Sequence, residues 1–370
     1  MIESITLANF KSFGEQQTLP LEPITVLVGP NNSGKSNFMS VARFLTNSFV
    51  TSVSTAMRTE GDALFHRPIK ADDSCRIRWD SDNNIYELAL RQDASIPFWS
   101  EYFQEQKGGR TRLGREGINF SFNNNLFRPN NFSTDHLIVT QPNILNAHQL
   151  VAAKQHWAPF TRSRTIKLSV SALRVDAEVI PNPEIGLDGR ALASVLGLWR
   201  GAMPEKAEAL NGFLSRCLPE IKAVLVKPAP VPGHQRLWFR QQDGLEFDAE
   251  HVSDGVLAFT ALAMHALSAE PGQFLCIEEP EQSIHPKRLR EFVDLLKDIV
   301  RERGCQFIIA THSTVLVNAF RDEPEAILLF RRSEKGTRVK RLSDVPELVE
   351  ALQQAPPGDL LETGAFSTAF

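Results

Sequence analysis

Three short runs in this chain are apolar almost throughout, and polar chemistry follows each at once: ITVLV before GPNNSGKS, FLCI before EEPE, and FIIA before THS. A strand with one wet face alternates between apolar and polar residues. These runs do not, so both of their faces must be covered. Helical patterns lie between them, including NFMSVARFL, with Phe38, Val41, Phe44 and Leu45 at helical spacing, VLAFTALAMHAL, and KRLREFVDLLKDIVRERG. Strands alternating with helices imply an α/β chain with a largely parallel sheet covered on both sides. In such a sheet the carboxyl ends of the strands share one edge, where ligands bind. The sequence therefore predicts one rim carrying a glycine-rich loop, a pair of acids and a histidine.

The rest of the chain sets bounds on that reading. With 370 residues, it is long enough for two or three structural units. Hydrophobic residues make up 42% and charged residues 23%, ordinary values for a soluble globular protein. No apolar run approaches the roughly 18–20 residues of a membrane span, and MIESITLANF lacks the pattern of a secretory signal. Cys75, Cys217, Cys276 and Cys305 are widely scattered, which argues for reduced, buried thiols in a cytoplasmic protein. SITLANF alternates like a strand, and CRIRW and NIYELAL read as an antiparallel pair turned by DSDNN. From about Pro97 to Thr165 the pattern degrades into loop-rich stretches such as GGRTRLGREG, and a mobile or helical insertion is expected there. There are no internal repeats and no sustained heptads. The expected division is an N-terminal lobe over 1–95, an insertion or arm over 96–165, and a C-terminal lobe over 166–370.

The loop Gly29-Pro30-Asn31-Asn32-Ser33-Gly34-Lys35-Ser36 has phosphate-binding spacing, follows an apolar strand and opens a helix. Its glycines let backbone N–H groups wrap phosphates, and the helix N-terminus adds partial positive charge. Lys35 would reach the β- and γ-phosphates and Ser36 would ligate magnesium. Glu278 and Glu279 end the second apolar run. Adjacent strand residues point to opposite sides, so Glu278 can face a metal while Glu279 orients the attacking water. His312, after the third run, could contact the γ-phosphate. Together these residues point to nucleotide hydrolysis. In VSDG, Ser253 and Asp254 are good helix N-caps. The stretch reads either as a plain cap or as a second anion-binding helix start.

NFKSFGE, GPNNSGKSN, VSDG, IEEPEQSIHP and ATHS, in this order, resemble the ABC-type ATPases of the RecF and SMC group, and most closely the stand-alone or OLD-like ATPases of the AAA family. The resemblance implies a P-loop NTPase fold of ABC-ATPase type: a mostly parallel central sheet with an antiparallel β subdomain and a helical or loop insertion. It implies ATP and Mg2+ as cofactors, with Asn37 among the nucleotide-binding residues. It also implies an ATP-dependent homodimer. Each site would combine Lys35, Ser36, Glu278, Glu279 and His312 of one copy with Ser253 and Gly255 of the other, and Glu281 and His285 would lie near the partner copy. Lys11 matches a basic position near the nucleotide in the family; a turn residue between strands is the other reading. OLD nucleases carry a Toprim domain after the ATPase, for which no room is expected here, so no nuclease activity is inferred. The chain departs from the commoner pattern in having Glu278 where Asp is usual, Val252 where Leu is usual, and Ala258 where a basic residue often stands. Gln104 and Gln141 are the candidates for the family's glutamine loop.

Between His136 and Val175 there is no Asp or Glu, and Lys154, Arg162, Arg164, Lys167 and Arg174 accompany Trp157 and Phe160. Lys107, Arg110, Arg112 and Arg115 form a smaller cluster upstream. A basic stretch in a chain of net charge -4 fits either a nucleic-acid backbone, an acidic protein partner or a solvated face. The functional expectation is an ATP-driven dimeric switch in DNA repair or anti-phage defence, working with a separate effector such as a nuclease encoded nearby, with DNA as a possible partner and no membrane. The alternatives are a transporter motor subunit and an ATP-binding scaffold with little turnover.

Overall fold

The computed structural model describes residues 1–67, 74–81, 84–91, 98–105, 112–116, 119–122, 125–127, 137, 157–282 and 284–370. Its strands are β1 Ser4–Ala8, β2 Gln17–Pro20, β3 Ile24–Val28, β4 Cys75–Ser81, β5 Asn84–Arg91, β6 Phe98–Glu105, β7 Arg112–Glu116, β8 Asn119–Phe122, β9 Asn125–Phe127, β10 Arg164–Ile166, β11 Ala177–Glu178, β12 Ile221–Pro228, β13 His234–Gln241, β14 Glu246–Asp248, β15 Phe274–Glu278, β16 Gln306–Thr311, β17 Ile327–Ser333 and β18 Gly336–Arg341. The helices used below are α1 Lys35–Val50, α2 Val53–Glu60, α3 Val170–Leu173, α4 Leu192–Ala202, α5 Pro204–Cys217, α6 Asp254–Ser268, α7 Pro286–Arg303, α8 Thr314–Asn318, α9 Pro346–Leu352 and α10 Pro357–Glu362.

The three apolar runs are β3, β15 and β16. They lie side by side in a six-stranded sheet of order β10-β15-β16-β3-β17-β18. Every pair in it is parallel except β17 with β18. The lack of alternation in these runs is explained by two cores. Val26, Val28, Leu275, Ile277, Phe307 and Ile309 pack on one face with α6 and α7, against Leu257, Leu262 and Phe292. Leu27, Phe274, Cys276, Ile308 and Ala310 face the other way, onto Phe38, Phe44 and Leu45 of α1 and the first sheet of the chain. That first sheet is antiparallel, of order β2-β1-β4-β5-β6-β7-β8-β9. A small third sheet pairs β13 with β11, β12 and β14.

In the described part of the 96–165 stretch, β6 to β9 extend the antiparallel sheet as successive hairpins where loop or helix was expected, while residues 157–161 are helical. In β6, Trp99, Glu101 and Phe103 all point inward and are buried. A carboxylate at the middle inward position breaks the apolar alternation that marks a strand in sequence.

Gln306 fastens the two large sheets. Its amide accepts from the Ile2 N–H at 3.0 Å and donates to the carbonyls of Ile2 at 2.8 Å and Glu22 at 3.1 Å. All four cysteines are free and buried, and burial pushes the Cys217 thiol up to about 11. Among the described residues no helix is long and apolar enough to cross a membrane.

Candidate functional site

Parallel pairing of β15, β16 and β3 brings their carboxyl ends to one edge. The loop after β3 turns on two glycines. A Cβ on Gly29 would lie 2.3 Å from the Phe330 carbonyl oxygen. Gly34 sits at φ +108°, and a Cβ there would lie 2.2 Å from Thr337 Oγ1. That hydroxyl donates to the Ser33 carbonyl at 2.9 Å and is hydrogen-bonded with Ser12 Oγ at 2.8 Å, tying the loop to β18 and to the turn after β1. Lys35 is only 7% exposed. Its ammonium folds back on the loop, donating to the carbonyls of Gly29 at 2.6 Å and Pro30 at 3.1 Å, and to His312 Nε2 at 3.2 Å. Burial holds its pKa below the ordinary lysine value, against the pull of Glu279 and Glu281.

The acids separate as strand geometry requires. Glu278 turns toward β10, where Lys167 Nζ stands 3.1 Å from its Oε2. Glu279 turns toward β16, with Oε1 3.9 Å from His312 Nε2, and its other oxygen accepts from Gln282 Nε2. Its backbone is left-handed, φ +48°, an unusual conformation for a residue other than glycine, and its N–H is held by the Ala310 carbonyl at 2.8 Å. Burial, then the Lys35 charge, holds the His312 imidazole below its usual pKa, so that in this arrangement Nε2 offers a lone pair to Lys35.

Sequence reasoning missed two supports. Lys167 was read as part of a basic surface, and it faces the metal-candidate acid. Glu281 was read as part of an intersubunit loop, and its Oε1 accepts the His312 N–H at 2.6 Å. Both become visible only when β10 and β16 are known to flank β15. His285 caps α7, its Nδ1 accepting from Lys287 N at 3.3 Å.

Ser253 is the N-cap of α6, its Oγ accepting from Val256 N at 3.4 Å, and it is exposed; Gly255 follows in the first turn. Arg174 donates to the carbonyls of Ala249 and, at 3.1 Å, Val252, and pairs with Asp254, fixing the entry to this helix. Farther along, Ala258 and Leu262 of α6 share a cavity of about 270 Å³ with Glu278 and Glu279. Lys11 lines a recess with Asn37, but its ammonium is bound by Glu60 at 2.7 Å. Gln104 lies on β6 and accepts from the Tyr102 hydroxyl at 2.6 Å; Gln141 lies outside the described residues.

The basic stretch does not form an open patch among the described residues. Arg162 pairs with Glu270, Arg164 with Glu184, Lys167 with Glu278 and Arg174 with Asp254. Trp157 and Phe160 are fully buried against Trp79. Lys107, Arg110 and Lys154 lie outside the described residues.

These residues fit a magnesium nucleotide. Ser33 Oγ is buried in the loop with no hydrogen-bond partner, and the loop opens α1, whose N-terminus favours an anion. Ser36 and Glu278 offer hard oxygen donors. Magnesium is commonly held by one or two protein oxygens, with phosphates and water completing the shell.

Residues 1–157 match a family model described as an AAA ATPase domain, and residues 207–318 match one described as an AAA domain and associated with the AbiEii toxin and the Type IV TA system. The OLD nuclease of Thermus scotoductus is 29% identical over 136 residues, which cover 35% of this chain and 25% of that protein, so the match spans only about a quarter of the relative's length. A solved SMC head bound to the C-winged helix domain of ScpA aligns with 92% of this chain and 97% of its own, at 14% identity and TM-score 0.52. The SMC head domain from Thermotoga maritima covers 92% of this chain and 98% of its own, at 15% identity and TM-score 0.44. Two ATPase-domain models match successive parts of the chain, and its fold is that of the first of these SMC heads, an α/β fold of ABC-ATPase type.

Proposed function

We propose that this chain is a magnesium-dependent ATPase in which nucleotide binding pairs two copies and so switches a separate effector protein. The observation that carries the reading is the run of contacts Lys35–His312–Glu279, at 3.2 and 3.9 Å, on the rim where the buried loop hydroxyl of Ser33 has no partner. Lys35, drawn off the Gly29 and Pro30 carbonyls, would bind phosphate oxygens. Ser36 and Glu278 would hold magnesium, which neutralises charge on the phosphates. Glu279, on its own side of the strand end, would orient the attacking water and take its proton. His312, adjacent to Lys35, would donate to the γ-phosphate once that group is in place. Ser253 and Gly255, at an exposed helix start, are suited to close over the nucleotide of a second copy.

The segments 1–95 and 166–370 would form this unit together, with β6 to β9 widening its antiparallel sheet and β10 its parallel one. The OLD nuclease relative and the toxin–antitoxin family description support a role in defence or DNA repair beside a nuclease or toxin-like effector. The test is Glu279→Gln. The variant is expected to bind ATP and to pair, and to hydrolyse at least about tenfold more slowly, a barrier rise of about 1.4 kcal/mol. Unchanged turnover removes the catalytic assignment. Co-purification from native cells identifies the effector.

A further inference from the structure

The parallel strands have a second end. Opposite the rim just described, the first residue of β10 and the start of β15 border a cavity of about 600 Å³, closed by α4, α5 and the last turns of α6. Arg162, Arg164, Lys206 and His265 all line it.

His265 is 4% exposed, and its Nε2 has no hydrogen-bond partner. Burial holds the imidazole neutral, and the backbone of Gly186 favours the proton that remains. With that proton on Nδ1, Nε2 is left with a lone pair. A buried acceptor without a donor is costly. The cavity is the place from which a donor can reach it.

The cations are similarly poised. Arg162 and Arg164 pair with Glu270 and Glu184, whose side chains are 51% and 76% exposed. Such exposed pairs contribute little and yield readily to a better anion. Lys206 lies over the Trp199 ring, 5.6 Å from its centroid, with no ion pair within 4 Å among the described residues. Glu184 and Glu270 line the cavity too, so its three cations stand with two carboxylates and keep a net positive charge; arginine forks suit phosphate in particular, once those exposed carboxylates swing away. A volume of this size is typical of pockets for small organic ligands.

We propose that this cavity is a second ligand site, which binds a small phosphate monoester carrying an N–H or O–H donor, with the phosphate on Arg162, Arg164 and Lys206 and the donor on His265 Nε2. Nucleoside monophosphates and sugar phosphates share that chemistry. The site is separate from the phosphate loop and does not depend on the ATPase reading.

The test is titration calorimetry on the full chain carrying Lys35→Ala, which disables the loop as a competing phosphate site. AMP and ribose 5-phosphate are the probes, with inorganic phosphate as the anion lacking the carbon-borne donor. At least one monoester is expected to bind about tenfold or more tightly than inorganic phosphate. Lys206→Ala and Arg164→Gln, each added to that background, should weaken it about tenfold. His265→Phe should erase the preference over inorganic phosphate, and His265→Gln, which keeps an acceptor, should restore part of it. Lys206 is on a surface helix, so its variant remains informative if the buried ones fail to fold. The proposal is overturned if neither monoester binds below about 1 mM, or if binding is indifferent to Lys206→Ala.

Discussion

Lys167 Nζ lies 3.1 Å from Glu278 Oε2, so the acid proposed to hold magnesium is already paired with a cation just past the neighbouring strand. A metal bound as proposed would compete with the lysine for that carboxylate. The lysine is 63% exposed, so its hold is that of a solvent-screened pair. Lys167→Met is expected to lower the Mg2+ concentration needed for half-maximal ATP-dependent thermal stabilisation by about twofold to fivefold, the equivalent of up to about 1 kcal/mol. A higher Mg2+ requirement would show instead that the lysine assists the site.

Gly34→Ala tests the cradle. The new methyl group would meet Thr337 Oγ1 at 2.2 Å, in a backbone of φ +108° that side chains rarely adopt. Expected are a loss of about 1–3 kcal/mol in unfolding free energy and a fall in ATP affinity of at least about tenfold by fluorescent-nucleotide titration. Wild-type affinity would mean that the loop can re-form around the methyl group.

Arg174 bears on the second half of the proposed composite site. Its guanidinium clamps the Ala249 and Val252 carbonyls and Asp254, immediately around Ser253. Arg174→Ala should leave ATP binding to the single copy within about twofold while cutting nucleotide-dependent pairing and hydrolysis about tenfold, a difference of about 1.4 kcal/mol. Light scattering with ATP separates the two effects. Equal loss of monomer ATP binding would place Arg174 in the wrong role.

His265 makes stability depend on pH. Burial pushes its pKa down from 6.5 to about 3. Between those values the unfolded chain carries a proton that the folded chain refuses. The contribution is therefore complete above about 6.5 and falls as the medium is acidified, by up to about 1.4 kcal/mol per pH unit. Urea unfolding across this window should give a shallower slope for His265→Gln than for the native chain; identical slopes would count against a buried, neutral imidazole.

Much of the rim was legible because the runs around Val26, Ile277 and Ile309 have no wet face, and such strands fit only a covered parallel sheet. Once they are neighbours, the loop, the acids and His312 must converge. What could not be read were contacts between residues distant in sequence. Lys167 meets Glu278, and Glu281 meets the His312 N–H, only through the order β10-β15-β16. The same limit hid the carboxylate partners of Arg162 and Arg164, which lie 108 and 20 residues away. Strand β6 was hidden by Glu101, an inward-facing acid that composition treats as a surface residue.

Gln306 has a mechanical consequence. One side-chain amide serves three backbone groups, two on Ile2 and one on Glu22, across the seam between the sheets. Prising that seam open would strand these groups, at about 1–3 kcal/mol for each. The seam is thus a weld and not a hinge: the antiparallel sheet rides with the strands that carry the glycine-rich loop, and under the proposed function a nucleotide-driven stroke would be delivered at the faces between copies.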